Sequence, residues 1–265
     1  MNAPAYPLLR DAVEHARLAQ QAQFWSADAA ALFETAGLTA GGRVADLGCG
    51  TLHVAQMLNR FVGPAGTVFA LDSDAAMLGT APSTGNAARV IVTHGDAYAS
   101  PWDDGSLDAV HARFLAAPAG RIDGLIAEMR RLVRPGGLIL MQEPITNSWH
   151  VPCPSDEWPR VLGLIRAGFA LRGGNLDIGE LLAQSLGRAG VRDIRTRTVA
   201  HAISASHPYA KLPLAFCDSL LPLWRQAGMV DDGELDNLRA ALVRGMGAAG
   251  ASVTTFTLVQ CWGIR

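Results

Sequence analysis

The sequence predicts an α/β fold built on a doubly wound, mostly parallel sheet. Short apolar segments rich in β-branched residues alternate with helical patterns between residues 43 and 142, which is the order of a parallel sheet with helical crossovers. The first segment runs directly into a Gly-x-Gly turn, Gly48-Cys49-Gly50, and the second ends in a carboxylate, Asp72. The 265 residues are enough for one large domain with a sizeable core.

Two helices are predicted ahead of the first strand, within residues 1–38. The first covers residues 7–24 and places Pro7 at its first helical position. Apolar residues recur on one face of this helix, namely Leu8, Leu9, Ala12, Val13 and Ala16. The second helix covers residues 26–36 and stops at Gly37.

Alternating strands and helices are predicted over residues 39–144. The strands cover residues 43–47, 67–71, 89–93, 107–111 and 138–142. The helices cover residues 52–61, 74–80 and 122–134, and the last of them ends at Pro135-Gly136-Gly137. Two later segments with Thr and Val in alternation, residues 191–203 and 252–262, predict two more strands.

Two further segments, residues 145–189 and 207–249, do not belong to this minimal core. The first contains a Trp- and Pro-rich loop followed by a helical pattern. The second contains two helices, the later of which opens at Asp231 with Glu234 three residues on, as in a capping box. Because open α/β sheets bind ligands beyond the carboxyl ends of their strands, we expect these segments to form a helical lid on a single domain, 1–265.

Composition restricts the class of partner. The net charge is −2 and Lys211 is the only lysine, so a nucleic-acid substrate is not expected. The N-terminus lacks a signal-peptide pattern and no apolar run of 18 residues occurs, which predicts a cytoplasmic protein without a membrane span. The four cysteines form no C-x-x-C pair and no metal-ligand spacing is present, so free thiols and no metal are expected.

The glycine turn and Asp72 predict a nucleoside site. A carboxylate about 20 residues beyond the turn is placed to accept hydrogen bonds from ribose hydroxyls. A dinucleotide fingerprint would need a third glycine where the chain has His53, and no Gly-Lys-Ser/Thr phosphate loop is present. Asp46 at the tip of the first strand would repel a pyrophosphate but suits an amino group or a sulfonium.

Over residues 40–145 the chain resembles the class I S-adenosylmethionine-dependent methyltransferases. Five motifs follow one another in the family's order: Asp46-Leu47-Gly48-Cys49-Gly50-Thr51-Leu52, Leu71-Asp72-Ser73-Asp74 with Met77-Leu78, Gly95-Asp96-Ala97, Leu107-Asp108-Ala109-Val110 and Leu132-Val133-Arg134-Pro135-Gly136-Gly137. The departure is Leu52, where the family usually has glycine. The resemblance implies a Rossmann-like methyltransferase fold with a seven-stranded sheet, an antiparallel pair at one edge, and S-adenosyl-L-methionine as the cofactor.

The resemblance also implies the cofactor-binding residues. Asp46 would meet the cofactor's amino group, and Asp72 its ribose. Asp96 and Ala97 would contact the adenine. The remaining implied contacts are Gly48, Cys49, Gly50, Ser73, Met77, His111 and Ala112. His111 faces the sulfonium end in this family and is predicted to be a cofactor contact or a general base.

Substrate-binding residues are predicted after strands four and five. Arg113 would hold a carboxylate of the cofactor or of the substrate. Glu143, Trp149 and His150 would contact the substrate, with His150 as a second candidate base. Tyr209, and less directly His207, would reach the site from the second inserted segment.

The predicted function is methyl transfer to a small apolar or aromatic metabolite, mainly by proximity and orientation. Two alternatives stay open. One is an enzyme of the same fold that binds the cofactor but catalyses a non-methylating reaction such as a cyclisation. The other is a non-catalytic binding protein. A homodimer is also possible, in which case the helices of residues 145–189 and 207–249 would serve the interface.

Overall fold

The computed structural model describes residue 8 and residues 12–78 and 89–265. The α-helices described are α1 (Ala12–Phe24), α2 (Ser26–Ala36), α3 (His53–Val62), α4 (Ala116–Ala119), α5 (Ile122–Leu132), α6 (Glu157–Ala170), α7 (Leu182–Arg188), α8 (Leu212–Gln226) and α9 (Asp232–Met246). The strands described are β1 (Arg43–Leu47), β2 (Thr67–Asp72), β3 (Arg89–His94), β4 (Leu107–Arg113), β5 (Val133–Ile145), β6 (Arg192–Val199), β7 (Ala202–Ser204), β8 (Ser252–Thr254) and β9 (Thr257–Ile264). No helix of these residues is long and apolar enough to cross a bilayer.

Seven strands form one sheet in the order β3-β2-β1-β4-β5-β9-β6, and the predicted doubly wound fold is confirmed. Strands β1 to β5 pair in parallel, while β9 is antiparallel to both of its neighbours. The strand order reverses between β1 and β4. That reversal opens a crevice at the carboxyl ends of these strands, where ligands bind in this class of sheet.

The predicted edge pair is present, but its two segments are each divided. Residues 191–203 form β6 and then β7, and residues 252–262 fall on β8 and β9. Strands β7 and β8 pair with each other in a separate two-stranded sheet. The alternation of the sequence could not reveal this division, because both parts of each segment are extended.

Two predicted helix boundaries are wrong. Asp74 accepts a hydrogen bond from the backbone N–H of Ala76 at 3.0 Å, and residues 75–77 form a turn rather than a helix. Such local side-chain bonds compete with helix formation. The remainder of this predicted helix, residues 79–80, lies outside the described residues. Helix α5 stops at Leu132, and β5 begins at once with Val133, five residues earlier than predicted.

The face that α1 buries differs from the predicted one, although Leu8, ahead of α1, is buried as predicted. Val13 is 68% exposed, whereas Glu14 and Arg17 are buried. The guanidinium of Arg17 binds both carboxylate oxygens of Glu14 at 2.7 Å and donates to Gln21 at 2.6 Å. It also lies over the ring of Phe216 in α8. The polar residues can be buried because they neutralise one another; Pro7 and Leu9 lie outside the described residues.

The inserted segments contain α6 to α9, and the predicted capping of α9 is confirmed. Asp231 accepts a hydrogen bond from the backbone N–H of Glu234 at 2.8 Å. Trp149 lies at the centre of their apolar packing, in edge contact with Trp158 and Phe216. These helices therefore carry a continuous part of the hydrophobic core.

Candidate functional site

A cavity of about 360 Å³ opens at the carboxyl ends of β1, β2 and β4. One wall consists of predicted cofactor residues: Asp46, Gly48, Cys49, Gly50, Asp72, Ser73, Met77, Asp96 and Ala97. The opposite wall comes from α1 and from the chain after β4: Leu18, Gln21, Ala22, Arg113, Phe114, Leu115, Pro118, Ala119 and Arg121. Thr51, His53, Val54, Asp74 and Tyr98 complete the lining. We call the wall that contains Asp46 and Gly48 the glycine-loop wall, and the wall that contains Leu18 and Arg113 the opposite wall.

The glycine loop is held by the neighbouring strand. The carbonyl of Leu71 accepts the backbone N–H groups of Gly48 at 2.8 Å and Cys49 at 3.0 Å. Gly48 has φ 70°, and a Cβ added there would lie 2.9 Å from Leu115 Cδ1. The positive φ therefore favours glycine at residue 48, and any side chain there would also displace Leu115.

Leu52, which stands where the related family usually has glycine, has an unusual backbone conformation. Leu52 precedes the first turn of α3 with φ 64° and ψ 8°, in the left-handed region that glycine adopts freely. The side chain is nonetheless buried, packed in the apolar layer behind the loop. Left-handed backbone costs a branched residue about 1–2 kcal/mol, which burial of the leucyl group offsets.

Asp46 presents one free carboxylate oxygen. Its Oδ1 lies 2.8 Å from Nδ1 of His111, while Oδ2 is buried without a hydrogen-bond partner among the described residues. A buried carboxylate oxygen without a partner is costly, so this atom is suited to a cationic ligand group in the cavity.

Asp72 is oriented by two backbone donors. Its Oδ2 accepts the N–H of Gly50 at 2.8 Å and its Oδ1 accepts the N–H of Asp74 at 2.9 Å. Burial raises the pKa of Asp72, and these two donors act against the rise. Each oxygen keeps a lone pair for a further donor such as a hydroxyl. Asp96 is exposed and accepts the N–H of Tyr98 at 2.9 Å, with Ala97 buried beside it.

His111 does not reach the cavity, contrary to its predicted role. The ring is fully buried between Asp46 and Gln142, whose Nε2 lies 2.8 Å from Nε2 of His111. Phe33 packs edge-on against it. With both nitrogens engaged, His111 orients the carboxylate of Asp46 and is not placed to act as a base. Ala112 is likewise buried away from the cavity lining.

Glu143 supports the opposite wall instead of contacting a ligand. Its carboxylate is fully buried and accepts the backbone N–H groups of Leu115, Ala116 and Ala117 at 2.7–3.1 Å. Burial raises the pKa of Glu143 to about 7, against the effect of the three donors. The predicted substrate contact is therefore corrected to a buried anchor for the start of α4.

The residues predicted to contact substrate from the inserted segments lie elsewhere. Trp149 is buried in the core, and His150 is exposed and paired with Thr254. Tyr209 is buried, with its hydroxyl accepting from Nε1 of Trp25 at 2.8 Å. His207 caps the turn before α8 by accepting the N–H of Tyr209. No residue of 145–189 or 207–249 is among the described lining residues, and Phe216 of α8 instead packs against Arg17 of α1.

Apart from Arg113, which was predicted, the residues of the opposite wall are ones that sequence reasoning missed. Helix α1 contributes Leu18, Gln21 and Ala22, although its amphipathic pattern predicted a different buried face. Phe114 lines the cavity with φ 54°, and its N–H donates to the carbonyl of Gln142 at 3.0 Å. A positive φ at a bulky residue beside a cavity is typical of functional sites, but no sequence signal announces it.

Residues 44–137 match the family model described as a methyltransferase domain. A curated relative, the ubiquinone/menaquinone biosynthesis C-methyltransferase UbiE of Saccharophagus degradans, is 32% identical over 114 residues, which are 42% of this chain and 46% of the relative. The chain thus spans less than half of the length of the curated relatives it matches.

Two solved structures share the fold. The YcgJ protein of Bacillus subtilis has a TM-score of 0.58 at 16% identity, covering 90% of this chain and 98% of its own. The [4+2]-cyclase SpnF has a TM-score of 0.51 at 21% identity, covering 89% and 79%. At these identities the likeness supports the fold alone.

The described residues also fit the cofactor of that family. The free oxygen of Asp46 matches an ammonium group, and the doubly held carboxylate of Asp72 matches a pair of ribose hydroxyls. In the part of the chain that the structure describes, no group of three His, Cys, Asp or Glu residues could hold a metal ion. The match over residues 44–137 and the glycine-loop wall together support a class I S-adenosylmethionine-dependent methyltransferase domain, with S-adenosyl-L-methionine as its cofactor.

Proposed function

We propose that the protein transfers the methyl group of S-adenosylmethionine to a small molecule with a substantial apolar or aromatic part. The observation that carries the proposal is the pairing of the two walls. The glycine-loop wall offers carboxylates and bare backbone, whereas the opposite wall is largely apolar, with Leu18, Ala22, Phe114, Leu115 and Pro118. One cavity thus offers a polar surface for the cofactor beside an apolar surface for an acceptor.

The cofactor, when bound, supplies a methyl group on a positively charged sulfur. We assign Asp46 to its ammonium group, Asp72 to its ribose hydroxyls, and Asp96 with Ala97 to its adenine. The backbone of Gly48 and Gly50 permits close approach of the ligand.

Orientation is the main catalytic contribution that these residues can make. The opposite wall excludes water and holds an acceptor atom against the methyl carbon, which converts a bimolecular reaction into an effectively unimolecular one. His53, at the first position of α3, is the imidazole among the described lining residues. His111 and His150 do not line the cavity, so the proposal gives them no proton-transfer role.

Calorimetry with S-adenosylmethionine and S-adenosylhomocysteine is the first test. We expect stoichiometric binding with a dissociation constant in the micromolar range, about 8 kcal/mol of binding free energy. Absence of binding at millimolar ligand would overturn the proposal and leave the non-catalytic alternative.

A product assay tests the reaction itself. Methyl-labelled cofactor is incubated with a panel of hydroxylated aromatic acceptors, chosen because UbiE is named for a C-methylation in quinone biosynthesis. Label in an acceptor with equal formation of S-adenosylhomocysteine supports methyl transfer. SpnF shares the fold and is named a cyclase, so cofactor binding with isomerised but unlabelled product would favour that alternative instead.

A further inference from the structure

Arg113 is a cation on the opposite wall whose hydrogen-bonding capacity is almost unused. It stands at the carboxyl end of β4 and lines the cavity. Its one hydrogen bond within the described residues joins Nη1 to the carbonyl of Trp25 at 3.5 Å, the outer limit for such a bond. The guanidinium has five N–H groups, so most of its donors remain available to a ligand.

Two other arginines that are buried or half-buried are fully engaged. Arg17 binds both oxygens of Glu14 and also Gln21. Arg131 binds Glu128 and Asp104 and two backbone carbonyls, those of Ser100 and Trp102. Arg113 forms no ion pair with any carboxylate of the described residues, although it is partly buried. Arg113 is therefore a half-buried cation without an acidic partner among the described side chains.

Neither carboxylate that acts on the charge of Arg113 forms an ion pair with it. Asp46 and Asp28 both act on its charge from a distance. Asp46 is bonded to His111 through Oδ1, and Asp28 is bonded to His201 at 2.9 Å. Burial lowers the pKa of Arg113 to about 10, partly offset by Asp46, Tyr209 and Asp28, so the group stays charged at neutral pH.

The surroundings of the guanidinium are aromatic. It lies 5.7 Å from the ring centre of Phe114, beside Trp25 and near Tyr209. Gln21, on the same wall, accepts from Arg17 through Oε1, which leaves its amide N–H groups as further donors toward the cavity. The wall thus offers one guanidinium and one amide donor among apolar side chains. This arrangement suits a ligand that carries a carboxylate on an apolar or aromatic group.

We propose that the acceptor of this enzyme is an acid, bound through its carboxylate to Arg113 with its apolar part against Phe114, Leu18 and Ala22. The inference rests on the proposed function for the place of the acceptor beside the cofactor. It narrows the acceptor class from apolar or aromatic molecules in general to apolar or aromatic carboxylates.

The test compares acids with their uncharged amides on protein saturated with S-adenosylhomocysteine. The probes are 2-naphthoate with 2-naphthamide and octanoate with octanamide, measured by calorimetry or ligand-observed NMR up to about 10 mM. We expect each acid to bind about tenfold more tightly than its amide. Equal affinities within both pairs, or no binding by either acid, would overturn the proposal.

Three variants locate the effect. Arg113→Gln should abolish the preference for acids, and Arg113→Lys should retain part of it because the charge remains. Arg225→Gln is the control and should leave the preference unchanged, since Arg225 forms an exposed ion pair with Asp232 and is not among the described lining residues. A preference that survives Arg113→Gln unchanged would overturn the proposal.

The cofactor has a carboxylate of its own. A second pair of probes tests whether Arg113 binds the carboxylate of the cofactor or that of the acceptor. S-adenosylhomocysteine contains that carboxylate and 5′-methylthioadenosine lacks it. If Arg113→Gln weakens the first without affecting the second, Arg113 serves the cofactor and the proposal fails. If the wild-type protein binds neither compound, the proposed function fails, and the acid and amide probes on the free protein still test the anion site independently.

Discussion

The glycine-loop wall and the opposite wall face each other across one cavity but are built in different ways. The glycine-loop wall comes from residues close in sequence: the loop after β1 is tied to β2 through Leu71, and to Asp72 through Gly50. The opposite wall combines α1, the start of α4 and the buried Glu143, which lie far apart in sequence. Local motifs therefore define the glycine-loop wall, whereas long-range packing defines the opposite wall.

The largest expected effect concerns the buried charge pair of α1, next to the opposite wall. Arg17→Met removes the guanidinium and leaves the carboxylate of Glu14 buried. Breaking a buried ion pair by removing one partner costs about 3–5 kcal/mol, so the free energy of unfolding in urea should fall by that amount.

Two further variants sharpen this prediction. The double variant Glu14→Leu/Arg17→Met should recover most of the loss, because both members of the pair are then replaced by apolar residues. Arg225→Met, which breaks an exposed ion pair with Asp232, should cost below about 1 kcal/mol. A loss at Arg17 no greater than at Arg225 would show that α1 is not held by its buried polar face.

The next effect depends on pH and concerns Glu143. Its pKa of about 7 in the fold lies above the ordinary value of 4.5, so the folded protein holds this proton more tightly than the unfolded chain. The resulting stability is present below about pH 4.5 and is lost as pH rises to about 7, a change on the order of 3 kcal/mol.

Urea unfolding of the wild type and of Glu143→Gln at several pH values measures this contribution. The variant has no titrating group at residue 143, so its stability relative to wild type should improve as pH rises through that window. Parallel pH profiles for the two proteins would contradict the prediction.

On the glycine-loop wall, Asp72→Ala should weaken S-adenosylhomocysteine specifically. Loss of a charge-assisted interaction costs about 1.5–3 kcal/mol, roughly a 10- to 100-fold rise in the dissociation constant. Asp108→Ala is the matched control, because Asp108 also accepts a backbone N–H, that of Arg43, but is not a cavity residue. Equal affinities of the two variants for the cofactor product would remove Asp72 from the site.

The smallest effect concerns the backbone of Leu52. Both Leu52→Ala and Leu52→Gly lose the buried leucyl group, but only glycine also relieves the left-handed backbone at φ 64°. The glycine variant should therefore be more stable than the alanine variant by about 1 kcal/mol. At Ala55, inside α3, the Ala→Gly change should destabilise by about 1 kcal/mol instead. If glycine were less stable than alanine at both residues, the backbone of Leu52 would not be strained.

The sequence by itself determined the sheet, the glycine loop and the carboxylates of the glycine-loop wall. These depend on short-range rules: alternation of strand and helix, a glycine where φ is positive, and an acidic residue where a strand ends. Asp46, Asp72, Asp96 and Ala97 accordingly lie on one cavity, as their motifs predict.

Only the tertiary structure decided which polar residues line the cavity. His111 and Glu143 lie near the carboxyl ends of β4 and β5, but His111 is bonded to Asp46 and Gln142, and Glu143 anchors the start of α4. A polar residue at a strand end satisfies either a ligand or a buried backbone group, and the choice depends on partners distant in the chain. For the same reason α1 buries Arg17 in place of Val13, because the free energy of burial depends on the partner as well as on the residue.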